Sequence, residues 1–390
     1  MSDFTTEARE ALGQKGLSIR AAARAVNYDH AFLSRVLNGK QGPSRQLVEA
    51  LDNLLDKGGH LVALAPAQAP VPTLRQFRPD ADMYSRIASV LNEPSKVDHP
   101  AVDWLEHSLG EHRRAEDETG GAPLLAIIKS QLVTVNDLGK HAREGVRDRL
   151  VSLASQYAQF MAWLCNDTGD KAGAVAWYDR AHDWALEAGD PNMAATTLSM
   201  KAHIAWSVND GHRTLRLGEA ARWHGGRVSS GIEGMAAQMT ARGNALLGDE
   251  DTARRVLDEA QTLVTKASEH PENEPDWMYF YGDDWFTAQR GMIELDLNNG
   301  KPAVEYLTTA LSRLPENYRR DRAWFSACLA KAHALADDLD AATLVSTDTA
   351  DDALAVNGYA VEQLRGVAVK VAQKLPRAGQ DLLHMLRDIG

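Results

Sequence analysis

A chain of 390 residues is too long for one small core, so two or three units are expected, one of which can be an elongated repeat. Its hydrophobic share of 44%, with nine Trp, supplies enough apolar surface to fold most of the chain and excludes a largely disordered protein. The net charge of −12 argues against indiscriminate nucleic-acid binding, because an acidic surface repels a polyanion.

No stretch reaches the roughly 20 apolar residues of a membrane span, and the first residues lack the basic-then-apolar order of a secretory signal. No membrane partner and a cytoplasmic location are therefore expected. Cys165 and Cys328 stand far apart without a CxxC pattern, which predicts two buried free thiols rather than a disulfide or a zinc site.

In chain order, residues 3 to 57 read as four or five short helices. Phe4, Ala8, Ala11 and Leu12 give the first an apolar face. Ile19, Ala22, Ala23 and Val26 recur at i, i+3, i+4 and i+7 behind Ser18, a suitable N-cap. A three-residue turn follows, with Asn27 where the chain must reverse, since Asn tolerates the left-handed conformation. Asp29 then caps a helix with Leu33, Val36 and Leu37 inward and His30, Ala31, Ser34, Arg35 and Asn38 on its polar face. After Lys40 to Pro43, Ser44 caps a further helix with a Leu47, Leu51, Leu54 and Leu55 stripe.

Between Lys15 and Arg45 lie six basic residues, Lys15, Arg20, Arg24, Arg35, Lys40 and Arg45, against the single acid Asp29. A local basic face on an acidic protein suits specific DNA binding. The run APAQAPVPTLRQFRP, residues 65 to 79, carries four prolines and no helical period, which marks a semi-extended linker. The expected division is 1–64, a linker 65–80, and 81–390. Helices are expected to resume with Ala101 to His112, break at the TGGAP run near Gly120, and continue from about Leu124.

The runs GDKAGAVAWYDRA, NDGHRTLRLGEAA, GDEDTARRVLDEA and NNGKPAVEYLTTA share a small polar turn followed by an amphipathic helix. Twelve residues on from Gly169, Asn209, Gly248 and Asn298 stand Ala181, Ala221, Ala260 and Ala310, small residues suited to close helix crossings. Turns about 40 residues apart, with one wider gap, predict a solenoid of helical hairpins, and a fifth unit starts near Ala336. The fold class is thus all-α: an N-terminal helix-turn-helix bundle followed by a tetratricopeptide-like solenoid.

The run SIRAAARAVNYDHAFLSRVLNGKQGPS resembles the helix-turn-helix of the Cro and lambda-repressor-like (XRE) family of bacterial regulators over roughly residues 3 to 57. In that family the second helix of the pair lies in the major groove of the operator. The resemblance therefore places His30, Ala31, Ser34 and Arg35 on base edges. Arg35 is the strongest of these, since Arg can bond guanine O6 and N7 together. Phosphate contacts are expected from Ser18, Arg20, Asn38, Lys40 and Arg45. Many members carry Gln or Arg where this chain has Ile19, so either Arg20 takes over that phosphate or the contact is lost.

The repeat array is similar in architecture to tetratricopeptide domains behind such modules, including the peptide-sensing quorum regulators of the Rap, Rgg, NprR, PlcR and PrgX group. That resemblance implies a homodimer and a concave groove for a peptide or small-molecule effector. Counting back from the turns places Gln159, Trp163, Asn166, Ser199, His203, Gln238 and Arg242 on the concave face, with Trp163 and Trp206 equally readable as packing residues. The aromatic-rich run WMYFYGDDWFTAQR, Trp277 to Arg290, reads as an inter-repeat helix whose start Asp283 and Asp284 cap. A catalytic or cation-binding role is its alternative.

No HExxH, phosphate loop or GxSxG is present, and His107 and His112, five apart, miss the common i, i+4 helical face. No catalytic residue, metal or cofactor is expected. Two functions remain open: a ligand-responsive DNA-binding transcription regulator, or a protein-interaction scaffold whose helix-turn-helix no longer binds DNA.

Overall fold

The computed structural model describes residues 3–26, 30–38, 45–64, 81–223 and 226–387. Among them there are helices and turns but no strand. The chain divides into two compact units, Met1–Ala81 and Asp82–Gly390.

The first unit holds α1 (Asp3–Gln14), α2 (Ile19–Ala25), α3 (His30–Leu37), α4 (Arg45–Leu54) and α5 (His60–Leu64). Their apolar faces meet in one core. Phe4, Ala8, Ala22, Leu33, Val36, Leu37, Leu47, Leu51 and Leu61 are wholly buried, each large side chain contributing about 1.5–3 kcal/mol. Ser18 caps α2, its Oγ accepting the Ala21 N–H at 3.2 Å. The helix α5 has a side-chain cap from a distance: buried Asp52 accepts the N–H groups of Gly59 (2.6 Å) and Leu61 (2.8 Å). The turn at Asn27, the cap at Asp29 and the cap at Ser44 lie outside the described residues.

The second unit opens with α6 (Ala81–Asn92) and α7 (His99–Thr119), earlier and longer than the sequence pattern predicts. Asp98 fixes the start of α7 by accepting the Ala101 N–H at 3.1 Å. Then come α8 (Leu125–His141), α9 (Glu144–Asp167), α10 (Lys171–Glu187), α11 (Pro191–Ser207), α12 (Gly211–Arg222), α13 (Ser230–Leu246) and α14 (Glu250–Glu269). The series ends with α15 (Asp283–Asp296), α16 (Gly300–Arg313), α17 (Arg319–Leu335), α18 (Leu339–Val356), α19 (Gly358–Lys374) and α20 (Pro376–Met385). Sequence neighbours pack in pairs, which makes a helical solenoid.

One device makes most of its turns. At Gly169, Gly189, Asn209, Gly248, Asn298 and Asp337 the backbone is left-handed, and the following residue's N–H returns five residues to close the helix. Those bonds are Asp170 to Cys165, Asp190 to Ala185, Asp210 to Ala205, Asp249 to Asn244, Asn299 to Glu294 and Asp338 to His333, at 2.8 to 3.0 Å. The same Asp caps the next helix in five of the six cases, Asn299 being the exception, for about 1 kcal/mol each. One helix is thus ended and the next begun within two residues.

Ala181, Ala221, Ala260 and Ala310 are all buried at helix crossings. The wider gap between Gly248 and Asn298 has a local cause: α14 runs for 20 residues and two 3-10 turns, Pro271–Asn273 and Asp276–Met278, precede α15. The solenoid also closes on itself, because α7 packs against α17 and α18. Gly120 permits this approach. Its backbone is left-handed, and a Cβ there would lie 2.4 Å from the Val356 carbonyl oxygen.

Candidate functional site

In the first unit, α2 packs on α3 through Ala22, Ala23, Leu33 and Val36. Arg20 and Arg24 are exposed on α2 and pair with no described acid. Lys15 instead ion-pairs with Asp56 and donates to the Leu54 carbonyl at 2.9 Å. Ser34 is half-buried, 3.4 Å from Asn38 Nδ2, and Asn38 Oδ1 accepts from Arg9 at 2.6 Å. Arg9 had no signal in the local pattern, since its partner is 29 residues away. His30, Ala31 and Arg35 lie on α3 and Arg45 opens α4, but their side chains, and all of Lys40, lie outside the described residues.

The second unit holds a cavity of about 170 Å³. It is walled by α7, α9, α11, α13, α15, α17 and α19, the first helix of each turn plus the closing helices. Of the groove residues picked from the sequence, Gln159, Trp163, Ser199, His203, Gln238 and Arg242 line it. Asn166 lies instead in a neighbouring polar recess, where its Oδ1 accepts the Tyr359 hydroxyl. On the closing side Arg113, Glu116, Trp324 and Tyr359, from α7, α17 and α19, complete the walls and carried no repeat signal.

The run from Trp277 is not a single helix. A 3-10 turn at Asp276–Met278 and a short connection deliver Trp277, Tyr279 and Phe280 to the cavity before α15 begins. Gly282, not an acid, is the N-cap of α15; Asp283 and Asp284 occupy its first turn, where their charge suits the helix dipole. Asp283 is used by neighbours, accepting from Gln261 Nε2 at 2.8 Å.

Aromatic rings and guanidinium groups alternate along one wall. Arg320 lies over Trp163 at 4.4 Å, His203 stands between Trp163 and Trp206, and Arg242 lies over Trp206 at 4.2 Å. The two arginines differ in what balances them. Arg320 pairs with Glu116 (2.7 Å), Asp167 (2.9 Å) and Asp321 (2.9 Å). Burial works against its charge, but those carboxylates win and hold its pKa above the usual value.

Arg242, 2% exposed, has no such partner. Its Nη2 donates to Gln289 Oε1 and lies 3.2 Å from Met292 Sδ, while Nε and Nη1 have no hydrogen-bond partner. Gln289 is fixed in turn: Gln238 Nε2 donates to the same oxygen at 2.9 Å, and Tyr281 donates to Gln238 Oε1 at 2.7 Å. Burial lowers the Arg242 pKa. Burial, with Arg242, Arg320 and Lys171 nearby, drives the His203 imidazole down to about 3, so it is neutral in the working range.

The acids on the cavity wall are each matched, Asp117 and Asp321 by hydrogen bonds and Glu116 by charge alone, since its Oε1 accepts no hydrogen bond. Tyr279 donates to Asp117 at 2.6 Å, Trp285 to Asp321 at 3.0 Å, and Glu116 pairs with Arg320. Burial, above all, lifts Glu116 to about 8 and Asp117 to about 6. Cys165 and Cys328 are buried free thiols. Among the described residues no cluster of His, Cys, Asp and Glu could hold a metal ion, and no helix is long and apolar enough to cross a membrane.

A search of curated proteins finds no match to this chain. Residues 4–65 match the family model of the helix-turn-helix domain, which identifies the N-terminal unit as such a domain and points to a DNA-binding regulator.

Proposed function

We propose that the chain is a sequence-specific transcription regulator whose helix-turn-helix unit reads an operator and whose solenoid holds an effector that controls it. The observation that carries this reading is the joining of a helix-turn-helix domain to a unit with a walled cavity containing unpartnered buried donors. A solenoid that served only to hold its own shape would gain by pairing those donors, since each one left unmade costs about 1–3 kcal/mol. Base contacts are assigned to His30, Ala31, Ser34 and Arg35, and phosphate contacts to Ser18, Arg20, Asn38, Lys40 and Arg45. Asn38 is held by Arg9, which therefore positions it. A homodimer on paired half-sites about 34 Å apart completes the reading.

The test is selection of duplexes from a random library by the full chain, followed by fluorescence anisotropy on the selected sequence. Arg35→Ala should cost about 1–3 kcal/mol at one base position, whereas Arg20→Ala should weaken all sequences alike and lower the salt slope by about one. Failure to enrich any sequence would overturn the proposal in favour of a protein-binding scaffold.

A further inference from the structure

We propose that the cavity takes a compact organic anion, a carboxylate on an aromatic or aliphatic body, with the carboxylate accepting from the unpartnered N–H groups of Arg242. This rests on reading the solenoid as the effector-binding unit, and it commits that reading to one ligand class.

The choice follows from which polar groups are already used. A ligand cation would need a carboxylate with charge to spare, yet Asp117 and Asp321 accept from Tyr279 and Trp285, and Glu116, although its Oε1 accepts no hydrogen bond, already faces the Arg320 guanidinium at 2.7 Å. The unpartnered positive charge is what remains. Arg242 and Ser199 line the cavity, and Arg242 Nε and Nη1 and the Ser199 Oγ are buried and make no hydrogen bond. Asp296, whose charge reaches Arg242 through space, lines the neighbouring recess and accepts from the Trp206 indole at 2.8 Å. It therefore offsets the guanidinium without satisfying it. A buried charge lacking hydrogen bonds is costly, and a ligand carboxylate supplies both the counter-charge and the acceptors.

The rest of the cavity sets the remainder of the ligand. Trp206 and Met292 beside Arg242, with Met200, Met239 and Trp285, present flat rings and adaptable thioethers to an apolar body. Arg320 with its three carboxylates and the packing of α7 on α17 bound the cavity on one side, and a volume of about 170 Å³ favours a compact molecule over an extended peptide.

The test is isothermal titration calorimetry of the full chain near neutral pH with three probes of one shape: 2-naphthoate, neutral 2-naphthamide and 2-naphthylmethylammonium. The naphthoate should bind at least about tenfold more tightly than the amide, the difference expected for hydrogen bonds to a charged group. Arg242→Met should erase that preference, and Arg242→Lys should keep part of it. Should Arg242→Met fail to fold, the carboxylate-to-amide ratio of the unaltered protein still decides. Amide or ammonium binding as tightly as the naphthoate would overturn the anion assignment while leaving an effector cavity in place. Absence of binding by all three at millimolar concentration, with operator selection intact, would overturn the assignment and the effector reading together. Failed operator selection with the naphthoate preference intact would leave the anion site standing and remove only the DNA reading.

Discussion

Arg320 and Asp167, 153 residues apart in sequence, meet at 2.9 Å inside the solenoid and tie α17 to the end of α9. Glu116 of α7 and Asp321 bind the same guanidinium, so one cation joins three elements. Gly121 adds its N–H to Asp167 Oδ2 at 3.1 Å, and Asn357 donates to the Arg320 carbonyl at 3.2 Å. A local repeat has become a closed ring through a small set of buried polar contacts.

Removing the cation alone should be severe. Arg320→Met leaves buried Asp167 and half-buried Asp321 without their counter-charge and Glu116 without its partner, and the loss should be about 3–5 kcal/mol in the unfolding of the solenoid. Combining it with Glu116→Gln, Asp167→Asn and Asp321→Asn should recover a large part, because the quadruple variant buries no unpaired charge. Denaturant unfolding followed by far-UV circular dichroism checks both. A single variant as stable as the parent would show that the ring is held by packing alone.

Glu116 predicts a pH dependence with a definite sign. Its folded pKa of about 8 stands above the ordinary value of about 4.3, so the folded state holds its proton more tightly than the unfolded chain. Stability associated with that proton is complete below about pH 4.3 and is lost as pH rises through 8. Asp117 and Asp296, each lifted to about 6 chiefly by burial, act in the same direction but finish earlier. His203 acts oppositely: with a folded pKa of about 3, its contribution is present above about pH 6.5 and lost on acidification. Between pH 6.5 and 8.5 the falling limb therefore belongs to Glu116, with a slope of up to about 1.4 kcal/mol per pH unit. Glu116→Gln should flatten it. Equal slopes in both proteins would disprove the assignment.

Two glycines should respond to alanine with opposite signs. On helix propensity alone, Gly→Ala gains about 1 kcal/mol within a helix. Gly366 on α19 is exposed and has no atom within 4 Å of an added Cβ, so Gly366→Ala should stabilise by about that amount. Gly243 on α13 faces α12, and its Cβ would lie 2.5 Å from the Leu215 backbone nitrogen. Backbone cannot yield as a side chain does. Gly243→Ala should therefore destabilise by about 1–3 kcal/mol, which thermal melts of the two variants would measure.

How far the sequence reveals this molecule depends on the reach of each interaction. The turns at Gly169, Asn209, Gly248 and Asn298 are legible because a left-handed residue followed by a capping side chain is a two-residue signal. Gln159, Trp163, Ser199, His203, Gln238 and Arg242 are legible for a related reason, since a repeat fixes which helical face turns inward. The ring closure is not legible. Arg320, Glu116 and Asp167 belong to segments with no common pattern, and only the accumulated curvature of the solenoid brings them together. Asn166 shows the limit: one helical turn beyond Trp163, it leaves the cavity for the closure and meets Tyr359 across 193 residues. The Trp277 segment was composition without geometry, because nothing local predicts that Gly282 ends the 3-10 connection and starts α15.

The helix-turn-helix unit should unfold separately from the solenoid. Its core is its own: Leu33, Leu37, Leu47, Leu51 and Leu61 pack with Phe4 and reach complete burial within residues 4–61. A unit of this size rarely exceeds about 3–5 kcal/mol of stability, and truncating a fully buried Leu costs about 2–5 kcal/mol. Leu51→Ala should thus remove much of the stability of this unit, because the loss is comparable with what holds it. The solenoid has its own clusters around Leu109, Tyr157, Phe286 and Leu364 and should melt unchanged. Calorimetry of the full chain should show the lower-stability transition lost or shifted down in Leu51→Ala and the other in place. Binding to the selected operator should be lost in parallel, since α2 and α3 depend on that core. Naphthoate binding should persist, because Arg242 and its cavity lie wholly in the solenoid. A solenoid transition that moved with Leu51→Ala would mean that the two units fold as one cooperative body.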